Sequence, residues 1–415
     1  MINTIEFLSG ISLLTLLIQV PAVFILLSRL LKGPFRQPPI QPQSPTPELL
    51  GTVSVVVPTL NEVERISPLL NGLSRQSYEV LEIIVVDSNS QDGTRDLVKA
   101  TMDFDPRFRL MTDDPLPADW VGRPWALHNG FLHSNSESEW FLGMDADTQP
   151  HPGLVAGLVK AASALNYDLV SLSPQFILKY PGESLLQPAL LMTLLYRFDS
   201  AGVNTEDSQR VMANGQCFLC RRSVLEKVNG YSKAKGSFCD DVTLARQIAA
   251  SGFKVGFLDG AKVLKVRMYE GAMETWKEWG RSLDLKDASS KAQIWGDLWL
   301  LVSVQGLPLI MVLLLLFLSP HLPLPPSPLL LLFWLNLFLV LIRFLMLLAI
   351  APSYDLRQSK GGWLFWLSPI ADPLAVLRIF LSAFRTPRQW RGRKYESIVG
   401  VGRGEGEQGR GERGS

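Results

Sequence analysis

An α/β domain held between membrane-crossing helices is the architecture this sequence predicts, on three observations. Short β-branched runs ending at Pro or Asp alternate with helical patterns through the middle of the chain. The segments on either side of that middle are apolar over lengths that suffice to cross a bilayer. Charge is segregated: charged residues make up 19% of the 415 positions, yet the first thirty residues and the stretch from Leu298 to Phe384 carry almost none.

This segregation excludes a simple soluble protein, a disordered chain and a collagen-like repeat, although the hydrophobic share of 47% is ordinary. A polar middle of this length also excludes a multi-span transporter. Net charge is +1, from 40 basic against 39 acidic residues, and no basic run dominates the middle. Nucleic acid is therefore not an expected partner. Three cysteines, Cys217, Cys220 and Cys239, are too few and too odd for a disulfide framework and fit a reducing compartment.

Residues 1–31 read as an N-terminal transmembrane helix. The positive charges follow the apolar run, at Arg29, Lys32 and Arg36, so the positive-inside rule puts the N-terminus outside and the next domain in the cytoplasm. Residues 32–50 are a Pro-rich linker, with six prolines between Pro34 and Pro47, expected to be extended. The soluble domain is expected over 51–285, and two further spans over 298–350, Leu298–Leu318 and Leu329–Ile350, joined by an external loop at Ser319 to Pro328. Residues 363–384 are apolar but interrupted by Pro369, Asp372 and Pro373. A full crossing would carry the basic segment 385–396 outside, so a re-entrant or interfacial segment is expected, with a disordered tail over 397–415.

Within the domain, Val53–Val57 is a buried-type strand ending at Pro58, followed by a helix expected over Glu62–Ser74. Leu81–Val86 is a strand ending at Asp87, then Gln91-Asp92-Gly93-Thr94 provides turn and cap residues for a helix to about Thr101. Arg107–Met111 is a third strand, Trp125–His133 a helix, and Trp140–Met144 a strand ending at Asp145. A helix over His151–Leu165 and an extended Asp168–Ser173 complete the pattern. Such alternation makes a parallel or mixed sheet with helices on both faces, and ligands bind beyond the carboxyl ends of its strands. Pro58, Asp87 and Asp145 all sit at such ends.

Asp145-Ala146-Asp147 places two carboxylates on one turn, where both can face Mg²⁺ or Mn²⁺ with a diphosphate on the ion's other side. A plain pair of turn aspartates is the bland alternative. Asp87 can accept hydrogen bonds from a nucleobase or ribose, or cap a turn. Asp240-Asp241 opens a helix, where the charges suit the helix dipole or, if partly desolvated, supply a general base. Arg123 and Asn129 lie around a helix start and could hold phosphate, or Arg123 could be a surface charge. Cys217 and Cys220 have metal-ligand spacing, but on a strand residues three apart face opposite sides, so structural cysteines are expected.

Together these motifs resemble a membrane-bound family 2 glycosyltransferase with a GT-A fold, over roughly Val53 to Arg281. Pro58-Thr-Leu-Asn61-Glu62 resembles the family's opening strand and loop, Asp87-Ser-Asn-Ser-Gln-Asp92 its nucleotide-binding turn, Asp145-Ala-Asp147 its metal motif, and Asp240-Asp241 its acidic pair, where Glu-Asp is more usual. The resemblance implies inverting transfer from a nucleoside diphosphate sugar. Pro58, Asn61, Glu62, Asp87, Arg123 and Asp145 would hold the donor, Asp147 and Asp145 the metal, and Asp241 would be the base. The Gln-x-x-Arg-Trp of processive synthases is missing around Trp276 to Arg281, which implies a single transfer.

Trp120 to Ala126, Arg267-Met-Tyr269 and Trp390 to Tyr395 resemble bacterial enzymes acting on carotenoids, hopanoids or sphingolipids, most of all cyanobacterial carotenoid O-glycosyltransferases. That implies an integral protein of a bacterial inner membrane with a lipophilic acceptor. Pro188 to Phe198 is expected to be an interfacial helix that admits it. Hopanoids, sphingolipids or glycerolipids, or a polyprenyl phosphate, are alternative acceptors, and a non-catalytic membrane scaffold on the same fold is the alternative of another class.

Overall fold

The computed structural model describes residues 2–279, 283, 285–318, 327–384, 389–390 and 393–394. Residues 319–326 of the loop expected at Ser319 to Pro328, Arg281, most of the basic segment 385–396 and the tail 397–415 lie outside the described residues.

The chain begins with α1 (Ile2–Leu30), then β1 (Val53–Thr59), α2 (Ser67–Ser74), β2 (Val80–Asp87), α3 (Thr94–Met102), β3 (Phe108–Thr112), α4 (Gly122–His133) and β4 (Trp140–Met144). There follow β5 (Thr148–Pro150), α5 (Leu154–Ala164), β6 (Leu169–Ser173), β7 (Gln175–Ile177), α6 (Pro181–Arg197), β8 (Cys217–Arg221), α7 (Arg222–Lys227), α8 (Asp240–Ala250), β9 (Val255–Asp259) and β10 (Leu264–Val266). The helix α2 starts five residues later than the periodicity predicts. Asn61 takes a left-handed φ of 54° and a turn occupies 62–66, so Pro68 falls in the first helical turn, where its missing N–H costs nothing.

The main sheet has the order β3-β2-β1-β4-β8-β6-β9, with β8 antiparallel to both its neighbours. Alternation along the strands divides the core. Val53, Val55 and Val57 pack on one face with α2 and α5, and Val56, Ile84 and Val86 pack on the other with α4 and α8. Cys217 and Cys220 fall in these two different cores, as strand geometry requires, and both are buried.

The C-terminal part holds α9 (Gly271–Glu274), α10 (Lys291–Leu301), α11 (Pro308–Leu318), α12 (Ser327–Ile350), β11 (Tyr354–Asp355) and α13 (Asp372–Ala383); the pair β12 (Gln389–Trp390) and β13 (Arg393–Lys394) closes the list of strands. Among the described residues, three helical stretches, Glu6–Phe35, Ser327–Ser353 and Gly362–Ala383, are long and apolar enough to cross a membrane. The expected span Leu298–Leu318 is bent by 44° between α10 and α11. A π-helical turn at Val302–Gly306 followed by Pro308 is the cause.

Residues 362–383 run as one helical stretch, 3₁₀ over Gly362–Ala371 and α-helical over Asp372–Ala383. Pro369 sits in a 3₁₀ stretch, Gly362–Ala371, and Pro373 falls in the first turn of α13, so neither breaks an α-helical ladder. Asp372 is answered inside the bundle by Arg343 of α12, with Nε 2.7 Å from Oδ2, and by Gln305 at 3.1 Å. Gln19 of α1 and Asn336 of α12 exchange amide hydrogen bonds at 3.0 and 3.1 Å. Polar pairs of this kind join helices where lipid supplies no partner.

The helix α6 packs Leu186, Ala189, Leu190, Met192 and Tyr196 into the same core as Ala22 and Leu26 of α1, Leu347 and Ile350 of α12, and Phe365. The second sheet, β11-β7-β10-β5, takes its edge strand β11 from beyond α12. The α/β domain and the apolar helices are thereby bound to each other.

Candidate active site

The end of β4, the loop before β8 and the starts of α4 and α8 build the site. β4 ends at Met144, and the turn carrying Asp145 and Asp147 is fixed on both sides. Thr148 donates its N–H and hydroxyl to Asp145 O, at 3.3 and 2.8 Å, and Arg267 N–H donates to Asp147 O at 3.3 Å. Both side chains are partly exposed and line one cavity. Asp240 and Asp241 form the first turn of α8 and line the same cavity.

Arg123, second residue of α4, ties these parts together. Its Nε donates to Asp145 Oδ1 at 2.8 Å, its Nη1 to Asp240 Oδ2, and its Nη2 to Gly215 O at 2.8 Å. A Cβ on residue 215 would lie 2.2 Å from Nη2, so only glycine leaves the guanidinium its place. The surrounding carboxylates hold Arg123 firmly in its charged form despite its burial. Each of its three nitrogens thus has a protein partner. The sequence alone offered a phosphate contact or a surface charge.

Asp241 accepts from Gly215 N–H at 2.7 Å and from Val242 N–H at 2.8 Å. Burial raises its pKa, against the pull of Arg123. Asp240 is also raised, to about 7, first by burial and then by Asp241 and Asp145, although Arg123 opposes this. Asp240 is the more enclosed of the two and is engaged by Arg123, whereas Asp241 is partly exposed in the cavity. This pair can therefore take up a proton near neutral pH.

The cavity measures about 1330 Å³. The carboxylates stand at one part of its wall. Another part is apolar, formed by Leu191, Leu194 and Leu195 of α6 and by Met346, Ala349 and Ile350 of α12. The opposite face of α6 is the buried one and packs into the core it shares with α1 and α12.

Pro58, Asn61, Glu62 and Asp87 lie at the ends of β1 and β2, outside that wall. There the two loops are sewn together. Ser90 N–H donates to Asp87 Oδ2 at 3.0 Å, Asn61 N–H to Ser90 Oγ at 2.9 Å, Glu62 N–H to Thr94 Oγ1 at 2.8 Å, and Val63 N–H to Asp92 Oδ2 at 2.9 Å. Asp87 is 1% exposed and accepts from Thr59 Oγ1 at 3.3 Å. Arg65, which sequence reasoning passed over, does line the cavity and pairs with Glu274 at 3.3 Å. The loop Asn214–Gln216 was also missed; an Asn-Gly pair before a strand was its one signal. Arg267 is a buried structural partner of Glu183, bonded at 2.7 and 2.8 Å.

Residues 54–228 match the model of the glycosyl transferase family 2. The domain belongs to that family. The family 2 match takes in Asp87, Arg123, Asp145 and Asp147 and stops before Asp241, and the mixed sheet is its GT-A fold. A 4,4'-diaponeurosporenoate glycosyltransferase of Staphylococcus haemolyticus is 25% identical over 248 residues, 60% of this chain and 65% of that protein. An undecaprenyl-phosphate mannosyltransferase of Micrococcus luteus is 30% identical over 113 residues, 26% of this chain and 43% of that protein. The chain thus spans less than two thirds of the length of either relative. A mannosyltransferase from Pyrobaculum calidifontis, solved with GDP-mannose and Mn²⁺, aligns at 18% identity with a TM-score of 0.49, covering 91% of this chain and 98% of that one.

Proposed function

We propose that this family 2 domain transfers one sugar, with inversion, from a nucleoside diphosphate sugar to the hydroxyl of a lipophilic acceptor in the membrane, a carotenoid above all. One observation carries the reading: a single cavity joins the four carboxylates to leucines of α6 and to the end of the apolar helix α12. A water-soluble acceptor would need no such wall. The Staphylococcus relative, named for a carotenoid acid, supports that acceptor class.

Asp145 and Asp147 fit a hard divalent ion, Mg²⁺ or Mn²⁺. Among the described residues no group of three or more His, Cys, Asp or Glu could hold a metal unaided. Two carboxylates on one turn suit an ion that takes its remaining oxygens from substrate phosphates and water. When bound, it would neutralise charge on the leaving diphosphate.

The chain's own residues do the rest. Asp241, held by two backbone N–H groups, accepts the acceptor's hydroxyl proton as the new C1–O bond forms and the C1–O bond to the diphosphate breaks. Arg123 fixes Asp145 and Asp240, so the turn and the helix start keep their spacing. Pro58, Asn61, Glu62 and Asp87 border the nucleoside end of the donor. The active domain faces the cytoplasm of a bacterial cell, by the charge asymmetry around α1.

The test is mass spectrometry of lipids and pigments from cells with and without the chain. Gain of one hexose or deoxyhexose on a xanthophyll is the expected result. A changed hopanoid, sphingolipid or glycerolipid with unchanged pigments would move the acceptor, and no change in any would sink the enzymatic reading in favour of a scaffold. The Micrococcus relative supports a second reading, transfer to a polyprenyl phosphate. That acceptor is already ionised, so Asp241→Asn would then leave the rate near that of the wild type.

A further inference from the structure

The Pro-rich segment after α1 is bound along its length to the catalytic domain. Its prolines at 38, 39, 42 and 45 lack an N–H, and Gln37, Ile40 and Gln43 have one. These three positions recur every third residue, which in a polyproline II helix is one face. Each donates into the domain: Gln37 N–H to Gly202 O at 2.7 Å, Ile40 N–H to Asp259 O at 2.8 Å, and Gln43 N–H to Gly153 O at 3.1 Å. Lys160 Nζ donates to Ser44 O at 2.9 Å and Tyr78 Oη to Pro45 O at 3.1 Å. Ile40 is 6% exposed, inside the core beneath the sheet.

The receiving groove is cut by glycines. A Cβ at 157 would lie 2.4 Å from Gln41 O, and one at 202 would lie 2.7 Å from Gln37 O. The segment's first residues also form wall. Gly33, Pro34 and Arg36 line the active-site cavity, as do Ala201 and Asp259 beside them, and Arg36 reaches Asp259 at 3.8 Å.

We infer that residues 37–45 are a strap, a polyproline ligand of the chain's own domain, and that Gly157 and Gly202 are positioning residues that seat it and so hold the membrane-side wall of the cavity in register with α1. The strap sets how a membrane-held acceptor meets the donor. This second half rests on the lipophilic acceptor proposed above; the docking itself does not.

The test uses the full chain in phosphatidylethanolamine–phosphatidylglycerol nanodiscs loaded with zeaxanthin as the hydroxyl probe. In the wild type, the Arg36–Gln37 bond resists trypsin. Gly157→Val is expected to be cut there at least tenfold faster and to raise KM for zeaxanthin at least tenfold. Its KM for the nucleotide sugar and its binding of the nucleoside diphosphate with Mn²⁺ stay as in the wild type. A Gly-Ser replacement of residues 37–43 at equal length keeps every domain glycine and is expected to behave alike, which covers a Gly157→Val chain that fails to fold. Equal cleavage of the wild type and the Gly-Ser chain would overturn the strap. Faster cleavage with an unchanged zeaxanthin KM would keep the docking and overturn the strap's role in how the acceptor meets the donor. If the wild type glycosylates no lipid, the proposed acceptor class falls, and cleavage at Arg36 still decides the docking.

Discussion

Asp145 and Asp240 share one guanidinium. Arg123 Nε holds the first at 2.8 Å and Nη1 holds the second. The metal-motif turn and the start of the base helix are thus parts of one charged assembly, built by three elements that are distant in sequence.

Removing that guanidinium leaves Asp240 enclosed beside two other carboxylates. Breaking a buried pair by deleting one partner costs about 3–5 kcal/mol. Arg123→Leu is therefore expected to lower the unfolding free energy by that order, and Arg123→Leu combined with Asp240→Leu by clearly less. Denaturant unfolding of the single and double variants measures it. Equal losses would show that the pair is not coupled.

Asp147→Ala should stop transfer, by 100-fold or more, while the folded state survives. Its carboxylate is partly exposed in the cavity, so its loss opens no core. Initial rates at saturating Mn²⁺, beside a melting curve within a few degrees of the wild type, check both halves. Full activity in this variant would remove the metal role.

Asp241→Asn should cost 100-fold or more in kcat if the acceptor is a hydroxyl, with little change in donor KM, because only proton acceptance is lost. The polyprenyl phosphate alternative requires a small effect.

The pH dependence has a definite sign. Burial raises both Asp240 and Asp241 above the ordinary 3.8, Asp240 to about 7. A base must be ionised, so kcat/KM should rise with pH as Asp241 loses its proton, above the ordinary carboxylate range. The folded state binds more protons than the unfolded chain between pH 3.8 and about 7, so the same rise lowers stability. Rate and unfolding measured across that window should move in opposite directions. A rate already at its plateau at the ordinary carboxylate value of 3.8 would contradict the raised Asp241.

Within the membrane bundle, Arg343→Leu should lower the melting temperature in detergent more than Arg343→Leu with Asp372→Leu does, since the single change strands Asp372 among apolar helices.

Much of this was legible in the sequence. Val53–Val57 and Trp140–Met144 could be read as strands because burial on both faces demands unbroken apolar runs. The carboxylates followed, because strand ends are where such sheets bind ligands. What escaped was set by distant partners. Nothing near Arg123 in sequence shows that its donors go to Asp145, Asp240 and Gly215. The π-turn at Val302–Gly306 and the answer to Asp372 by Arg343 also depend on neighbours that the fold supplies. The composition of 32–50 points to an extended segment, and residues 37–46 lie outside any helix or strand between 3₁₀ turns at Gly33–Phe35 and Pro47–Leu49, but composition does not say what such a segment lies against.

β11 has a consequence for how the protein is made. Its two residues pair with β7 only after α12 has been synthesised, since Tyr354 faces Phe176 and Asp355 faces Ile177. As the chain leaves the ribosome, the domain emerges with one edge of its second sheet open. That edge waits for helix insertion to deliver its last strand. Biogenesis thus has a built-in order: the domain of the main sheet can fold first, and the β7 edge of the second sheet is sealed only once the chain beyond α12 has been made.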